Sequence, residues 1–376
     1  MQSSELKYST PIIVLAAGSA SRLRPLSEKV PKALIEIDGT PIIRRNITSF
    51  IEANFKNFIV VIGKNGDKIK ADLNSLNSVN IEYVFQDEPR GMGDAISLAL
   101  ARLNSEDKKY EKFFVCACDI IPSVKNIEDM MTLFSNTGAD IVFGIMRSKD
   151  NSIAKWHSNI KPVNENELLN EYDVQKGIQI NDIIEKPSEE EIFSNYYCLP
   201  IYLFRSGIKK YFNEIEAKEG QEKEITAAIK SALKEGYKAR GINLIKENIT
   251  EKNVGKYHII NLKDIIKMNA KYLKGLKIEG YIGDYPTFIE PVRLQPGVEI
   301  GDTALLGPNV IIGKKCKLGA FCELANTIVF DNVILGRECK LNWCIVDENV
   351  RLPEKYSAKN KFITSGSDQT IKEYEI

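Results

Sequence analysis

The feature that most constrains the fold is a six-residue repeat of apolar side chains in the C-terminal part of the chain. The repeat holds its phase at Ile282, Phe288, Leu294, Ile300, Leu306, Ile312, Leu318 and Leu324. Glycine follows the apolar residue at positions 283, 301, 307, 313 and 319. Helices need an apolar period near 3.6 and single strands a period of two. A period of six therefore indicates a β-solenoid whose flat faces repeat.

The repeat shifts by one residue after Leu324 and continues at Val329, Leu335 and Leu341. A second shift precedes Val346 and Leu352. We therefore predict a left-handed parallel β-helix of hexapeptide repeats over residues 277–354, with about four coils. An ordinary β-sandwich is the alternative, but it gives no reason for eight positions in phase. Residues 355–376 are polar and are expected to form a tail or a cap.

Residues 1–276 are expected to form an α/β domain. Three continuous apolar runs, 12–15, 58–62 and 113–118, are typical of strands buried on both faces of a parallel sheet. Helix signals lie between them, beginning at Thr40-Pro41 and after Gly93-Asp94. A last helix is expected over residues 264–273. Together these predict a Rossmann-like, mostly parallel sheet followed by the β-helix.

Charge and composition exclude several classes of protein. The 51 basic and 51 acidic residues balance, so no net positive field is available to bind nucleic acid. The seven cysteines form no pair of CxxC motifs and only two histidines are present, which argues against a structural zinc site. Cys116 and Cys118 are interpreted as core residues of a reducing compartment. No signal peptide or membrane span is recognised, so a cytoplasmic location and no membrane partner are expected.

A small-residue loop follows the first apolar run and points to phosphate chemistry. Residues 15–26 read LAAGSASRLRPL, and residues 30–34 read VPKAL. In an α/β sheet such a loop lies at the carboxyl end of its strand, where backbone N–H groups bind phosphate. Arg22 and Lys32 bring two cations to the same segment. A loop of this kind alone equally suits a plain turn, but its combination with an arginine and a Pro-Lys pair is more specific.

With these motifs the sequence resembles the sugar nucleotidylyltransferase family, which opens with L-A-x-G-x-G-[TS]-R-[LM]-x-P-L and then P-K. The resemblance implies that Leu15, Ala16, Ala17, Gly18 and Arg22 bind the nucleotide, with Arg22 on the triphosphate. It implies that Lys32 is an active-site cation. One departure is Ala20, which stands where the family has its second loop glycine.

Further segments match the same family in order. The QDEPRGMGDA stretch at 86–95 implies that Gln86 and Gly91 bind the base. Asp119 ends the third apolar run, where the family places its Mg²⁺-binding aspartate. The E-K-P segment at 185–187 implies sugar contacts from Glu185 and a phosphate contact from Lys186. Gly144 is assigned to the sugar-phosphate site with them.

The resemblance weakens after this segment. Pro200 replaces a family glycine on the strand below the sugar, and residues 224–228 read EITAA where the family has a T-D-A triplet. Ile259 stands where a second metal ligand is expected. His258 or Asn261 would replace that ligand if the alignment shifts, although a non-ligand role for His258 is the alternative.

The resemblance implies transfer of a nucleotidyl group from an NTP to a sugar 1-phosphate with Mg²⁺ as cofactor. The catalytic residues would be Arg22, Lys32, Asp119 and Lys186, and UTP or dTTP is favoured over GTP. Alternatives are a non-catalytic regulatory subunit of this fold, or a cytidylyltransferase acting on a non-sugar phosphate. Acyl transfer by the solenoid is disfavoured because no histidine follows His258. The β-helix is expected to form a homo-oligomer, with Phe321 and Trp343 as candidate contacts.

Overall fold

The fold is described from a computed structural model that covers residues 10–104, 110–164, 170–215, 222–283, 285–366 and 368–376. Contacts divide the chain into two compact units. The sheet unit comprises Met1–Ser21, Val30–Ile35 and Pro41–Val254. The solenoid unit comprises Arg22–Lys29, Glu36–Thr40 and Gly255–Ile376. Two short segments of the N-terminal motif thus group with the solenoid, which the sequence-based boundary at residue 276 does not include.

The sheet unit is built on nine strands in the order β5-β4-β1-β6-β10-β7-β11-β9-β8. Strands β4, β1 and β6 are parallel neighbours, and β10 runs antiparallel between β6 and β7. The strands are β1 Pro11–Ala16, β4 Asn57–Ile62, β5 Asn80–Phe85, β6 Lys112–Ala117, β7 Ile141–Arg147, β8 Asn159–Pro162, β9 Ile178–Ile184, β10 Tyr196–Arg205 and β11 Ala239–Asn243. All three apolar runs of the sequence form parallel strands of this sheet, so the α/β prediction is confirmed.

Helices lie between these strands and pack on the sheet. They are α1 Leu26–Lys29, α2 Ile42–Glu52, α3 Gly66–Leu73, α4 Met92–Asn104, α5 Val124–Thr137, α6 Lys209–Asn213, α7 Ile225–Lys234 and α8 Leu262–Tyr272. Two short strands, β2 Glu36–Ile37 and β3 Thr40–Pro41, flank a turn before α2. Helix α2 begins one residue after Pro41, which is its N-cap rather than its first helical residue. Helix α8 begins two residues before the predicted start because Asn261 caps it, its side chain accepting the Asp264 N–H.

The solenoid consists of three sheets whose strands stack three apart in sequence. Their orders are β12-β15-β18-β21-β24-β27-β28, β13-β16-β19-β22-β25 and β14-β17-β20-β23-β26. The strands are β12 Leu276–Ile278, β13 Tyr281–Ile282, β14 Thr287–Phe288, β15 Val292–Leu294, β16 Val298–Ile300, β17 Leu305–Leu306, β18 Val310–Ile312, β19 Lys317–Leu318, β20 Glu323–Ala325, β21 Thr327–Val329, β22 Ile334–Leu335, β23 Lys340–Asn342, β24 Ile345–Val346, β25 Arg351–Leu352, β26 Ser357–Lys359, β27 Lys361–Ser365 and β28 Ile371–Glu375. These stacked parallel sheets confirm the predicted β-helix.

The one-residue shifts of the repeat have a structural cause. Val292 pairs with Val310, 18 residues on, whereas Val310 pairs with Thr327, 17 residues on. Corner residues adopt positive φ and carry the same spacing, at Thr303, Asn309, Lys315, Phe321, Asn326, Asn332, Glu338, Trp343, Asn349, Lys355 and Asn360. The later coils therefore lose one residue at a single corner. Glycine after the core residue is required by close coil stacking: a Cβ on Gly336 would lie 2.5 Å from the Glu354 nitrogen.

Two details of the solenoid differ from the prediction. Its first sheet has six parallel rungs, from β12 to β27, so it exceeds the expected four coils. Residues 355–376 are not a plain tail, since β26 and β27 continue the stack and β28 closes it by antiparallel pairing with β27. Ile282 is 74 % exposed and does not join the core, although Leu294 to Leu352 of the repeat are buried.

Several smaller expectations are also answered. All seven cysteines are free and buried, as core residues should be. Burial raises the pKa of the Cys118 thiol to about 12, so it is not a reactive thiolate. Trp343 lies beneath Lys263 of α8, with Nζ 5.4 Å from the ring centroid, and Phe321 is half-exposed beside Arg337. In the described part of the chain no helix is long and apolar enough to cross a membrane.

Candidate active site

The candidate site lies at the carboxyl edge of four adjacent parallel strands in the sheet unit. Strand β1 ends at Ala16 and leads to Gly18, β5 leads to Gln86, and β6 leads to Asp119. Backbone hydrogen bonds continue the ladders past the strand ends, with Gln86 N–H donating to Ile62 at 2.9 Å and Cys118 N–H to Leu15 at 3.1 Å. Side chains from three separate motifs therefore meet one edge, where α/β sheets bind ligands.

The loop after β1 has room for a ligand. A Cβ placed on Gly18 would meet no protein atom within 4 Å, so protein packing does not explain this glycine. Ala20 adopts a φ of +49°, a left-handed conformation that favours glycine. The departure from the family motif is thus accommodated at some conformational cost. Arg22 is exposed and belongs to the solenoid unit, together with α1.

Lys32 and Asp119 are brought together. The Lys32 ammonium donates to the Asp119 carboxylate, and Asp119 is 8 % exposed. The turn that carries Asp119 is fixed by Asn46 of α2, whose amide donates to the carbonyls of Ala117 at 3.1 Å and Ile120 at 2.8 Å. Asn46 is fully buried, so these two bonds hold the backbone on both sides of Asp119.

The donors at Asp119 fit Mg²⁺ as a single carboxylate ligand. This carboxylate already accommodates a cation, the Lys32 ammonium, and Mg²⁺ commonly takes one or two carboxylates plus waters and substrate phosphates. Among the described residues no group of three or more His, Cys, Asp and Glu side chains gathers to hold a metal. Ile259 is fully buried and the Asn261 side chain caps α8, so neither supplies the second ligand considered from the sequence.

Gln86 has a defined amide orientation. Its Nε2 donates to the Asp94 carboxylate at 2.9 Å and lies 3.4 Å from the Gly91 carbonyl. Since a carboxylate accepts and never donates when ionised, the NH₂ of Gln86 must face Asp94. Gln86 is 4 % exposed, which keeps this arrangement away from bulk water. The Oε1 atom is then the group that Gln86 offers as a hydrogen-bond acceptor.

The loop after Gln86 packs closely on residues 222–224. Gly93 N–H donates to the Lys223 carbonyl at 2.7 Å, and Lys223 N–H donates to Arg90 at 2.7 Å. A Cβ on Gly91, whose φ is +99°, would lie 2.7 Å from the Lys223 carbonyl. Glycine at 91 is therefore required by backbone approach and by its conformation.

Glu185 and Lys186 form a second polar cluster with Glu224. Lys186 Nζ lies 3.4 Å from a carboxylate oxygen of each glutamate, and Ser158 donates to Glu185 at 2.5 Å. Burial alone lowers the pKa of Lys186, but the two carboxylates outweigh it and the net pKa is raised. Burial and then repulsion from Glu185 raise the pKa of Glu224. The cluster thus holds a protonated lysine at neutral pH.

Gly144 and Pro200 face one another across a strand irregularity. The pairing of β10 with β7 shifts between Cys198 and Tyr202, so the three residues between them bulge opposite Gly144. A Cβ on Gly144 would lie 2.5 Å from the Ile201 side chain. Pro200 carries no N–H and is tolerated at such a bulge. The structure therefore gives Gly144 a packing role and shows how the strand accepts Pro200.

Sequence reasoning missed three residues of the site. Asp94 orients Gln86, Glu224 pairs with Lys186, and Asn46 fixes the turn at Asp119. Asp94 and Glu224 lie inside segments that the sequence analysis quoted, but no local pattern shows which distant side chain each one meets. Residues 222–224 join the Gln86 loop to the Lys186 cluster, which only the tertiary structure reveals.

Comparisons with known proteins agree with this geometry. The nucleotidyl transferase family model matches residues 11–248, and a GMPPB C-terminal domain model matches residues 288–374. The bifunctional protein GlmU of Thermodesulfovibrio yellowstonii is 25% identical over 344 residues, covering 90% of this chain and 69% of its own. The UTP–glucose-1-phosphate uridylyltransferase AglF of Haloferax volcanii is 27% identical over 225 residues, covering 60% of this chain and 84% of its own.

Solved structures show the same fold in the first part of the chain. A UDP-glucose pyrophosphorylase complexed with UDP-glucose superposes with a TM-score of 0.57 at 20% identity, covering 70% of this chain and 98% of that one. The family model spans well over half of the sequence. The chain is therefore an enzyme-family member by homology: it belongs to the nucleotidyl transferase family, as its resemblance to the sugar nucleotidylyltransferases predicted.

Proposed function

We propose that this protein transfers a nucleotidyl group from UTP or dTTP to a sugar 1-phosphate, giving an NDP-sugar and pyrophosphate. The observation that carries the proposal is the alignment of Gly18, Gln86 and Asp119 at one edge of adjacent parallel strands. The edge combines an open backbone loop, a base-facing amide and a cation-binding carboxylate. The printed names of the relatives, which include a UTP–glucose-1-phosphate uridylyltransferase, are consistent with it.

The orientation of Gln86 supports the choice of base. With its NH₂ held by Asp94, Gln86 offers Oε1 to the base edge. Uracil and thymine carry an N–H at N3 and guanine carries one at N1, so each donates to this oxygen. Cytosine N3 and adenine N1 are acceptors and would face Oε1 without a hydrogen bond. GTP is therefore the second candidate, and CTP, which the non-sugar alternative needs, is disfavoured.

The Lys186 cluster supports an anionic sugar substrate. Lys186 is a buried cation whose carboxylate partners lie 3.4 Å away, so an incoming phosphate would compete for it at closer range. Glu185 remains held by Ser158 and would accept hydrogen bonds from sugar hydroxyls. Together these residues would orient the phosphate of the sugar 1-phosphate for attack.

Mg²⁺ is the cofactor that this chemistry implies, and Asp119 would hold it with substrate phosphates and water completing the shell. When bound, it would neutralise charge on the α-phosphate and on the incoming phosphate. Lys32, in contact with Asp119, would orient the carboxylate and add a second cation at the α-phosphate. Arg22, which is exposed, would bind the β- and γ-phosphates.

The reaction is an in-line displacement at the α-phosphorus. An oxygen of the sugar 1-phosphate forms a bond to this phosphorus while the bond to the bridging oxygen of the β-phosphate breaks. Pyrophosphate leaves with that electron pair. The nucleophile is already anionic, because the second pKa of a phosphate monoester is about 6. No general base is required, and catalysis rests on alignment and charge neutralisation.

The test is a matrix of nucleotides and sugar 1-phosphates with Mg²⁺, in which NDP-sugar products are separated by ion-exchange chromatography and identified by mass. We expect product with UTP or dTTP and one class of hexose or N-acetylhexosamine 1-phosphate. A preference for GTP would retain the Gln86 reasoning and change the base. A preference for CTP or ATP, or a product made from a non-sugar phosphate, would overturn the proposal.

A further inference from the structure

One face of the solenoid is apolar on its outside, unlike the other two. In the first sheet the residues that alternate with the core are Ile311, Ile328, Ile345 and Phe362, and their exposed fractions are 7%, 4%, 0% and 0%. Outward positions of the other sheets carry exposed ion pairs, such as Glu299–Lys317 and Glu323–Lys340. The first face is therefore a packing surface, and within the solenoid unit α8 and residues 22–29 and 36–40 make bonds along it.

Asp347 ties the first of these segments to the solenoid. It follows β24 and is 2 % exposed. One carboxylate oxygen accepts from Lys29 Nζ at 2.5 Å and from the Thr364 hydroxyl at 2.7 Å. The other accepts the Glu348 N–H at 2.9 Å. A buried carboxylate needs such a cation, so Lys29 at the end of α1 is held to the solenoid rather than left in solvent.

Asp38 ties the second segment down at the opposite end of the same sheet. It is 6 % exposed and pairs with Lys277 on β12 at 2.5 Å and with Arg293 on β15 at 3.3 Å. Its N–H donates to Asn269 of α8 at 2.7 Å. The segments before and after Val30–Ile35, which contains Lys32, are therefore both anchored on the solenoid.

We propose that Asp347 is a positioning residue for Arg22: by holding Lys29 it fixes α1 and the chain before it, and so makes the β-helix a working part of the triphosphate site. Leu23 and Leu26 are buried between Arg22 and Lys29, so the segment has little freedom once Lys29 is held. The inference rests on the proposed role of Arg22 in NTP binding. It assigns the solenoid a catalytic function within each chain, besides any assembly role.

The first test is hydrogen–deuterium exchange of the full-length protein, which does not depend on activity. Asp347→Asn keeps the size of the side chain and removes its attraction for Lys29. We expect at least about fivefold faster exchange in a peptide covering residues 22–29, and no change in β6. Thr327→Val is the matched control, because Thr327 is also a fully buried polar residue of the first sheet and its hydroxyl donates to Ala325 within its own coil. It should leave this peptide unchanged.

The second test is steady-state kinetics on the same variants. We expect Asp347→Asn to lower kcat/KM for the NTP between about 10- and 100-fold, as a small displacement of a phosphate-binding side chain does, with KM for the sugar 1-phosphate within twofold. Lys29→Met should match this loss, Lys29→Arg should restore most of the activity, and the double variant Lys29→Met/Asp347→Asn should lose no more than either single one. Thr327→Val should lower the melting temperature with kcat/KM unchanged.

The outcomes separate the inference from the proposed function. Unchanged exchange of residues 22–29 in Asp347→Asn overturns the inference, whatever the activity of the wild type. Faster exchange with unaltered NTP kinetics also overturns it, because the segment would then be held for stability alone. A wild type inactive on the whole substrate matrix refutes the proposed function instead, and the anchoring of the segment is then decided by exchange.

Discussion

The orientation of Gln86 predicts that Asp94 controls which base the enzyme accepts, although Asp94 itself contacts no base in this account. Asp94→Asn is the informative change because it keeps the shape of the side chain. The carboxamide can accept from Gln86 Nε2 or donate to Gln86 Oε1, so both amide orientations of Gln86 become comparable. In the wild type the carboxylate permits one of them, with a charged hydrogen bond of 2.9 Å.

The magnitude follows from the hydrogen bond at the base. A base that presents an acceptor to Oε1 leaves two acceptors facing each other, which costs about 1–3 kcal/mol, or roughly 5- to 150-fold in kcat/KM. The wild type should therefore prefer UTP over CTP, or GTP over ATP if guanine is its base, by a factor in that range. In Asp94→Asn the ratio should fall below about fivefold, since Gln86 can turn its NH₂ towards the wrong base.

The assay measures kcat/KM for each nucleotide at fixed sugar 1-phosphate, with pyrophosphate release as the readout. Asp87→Asn is the matched control: it makes the same charge change one residue after Gln86, whose amide bonds to Asp94. It should keep the wild-type ratio. If Asp94→Asn also keeps that ratio while remaining folded, the reasoning on amide orientation is refuted.

Three further changes test other parts of the site. Asn46→Ala removes two hydrogen bonds to carbonyls beside Asp119 and should lower the free energy of unfolding by about 2–4 kcal/mol in urea titration, with a loss of activity; an unaltered midpoint would contradict this role. Lys186→Met should raise KM for the sugar 1-phosphate at least about tenfold while changing KM for the NTP little, because one charged hydrogen bond is lost; equal effects on both substrates would refute the assignment. Glu224 has a raised pKa in the fold, so its contribution to stability is present below its ordinary pKa of 4.5 and is lost as pH rises through the folded value. The melting temperature of Glu224→Gln relative to wild type should accordingly be more positive at pH 7 than at pH 4, and a difference independent of pH would contradict the burial argument.

The sequence predicts most of the fold because its main signals are local. The period of six in the C-terminal part requires stacked short strands, and even its one-residue shifts correspond to coils of 17 rather than 18 residues. The apolar runs ending before Gly18 and Asp119 predict the strands that carry the site. The end of the solenoid is less readable, because β26 is polar and the core at that level comes mainly from Ile363.

The parts that the sequence could not predict depend on pairs far apart in the chain. Asp94 meets Gln86, but nothing in their spacing fixes which way the amide points. Lys29 meets Asp347 across 318 positions, and a lone lysine after a short helix gives no sign of a buried partner. Pro200 looks like a loss of function when compared with a motif. The bulge between Cys198 and Tyr202 instead removes the need for its N–H.

The measurement that tests the central claim most directly is the stoichiometry of pyrophosphate release by the purified full-length protein with Mg²⁺. The account predicts that pyrophosphate appears only when an NTP and a sugar 1-phosphate are both present, in a one-to-one ratio with NDP-sugar. It also predicts that Asp119→Ala abolishes both products while the variant stays folded. Pyrophosphate formed without the sugar 1-phosphate, full activity in Asp119→Ala, or no release from the wild type with any substrate pair would contradict the account.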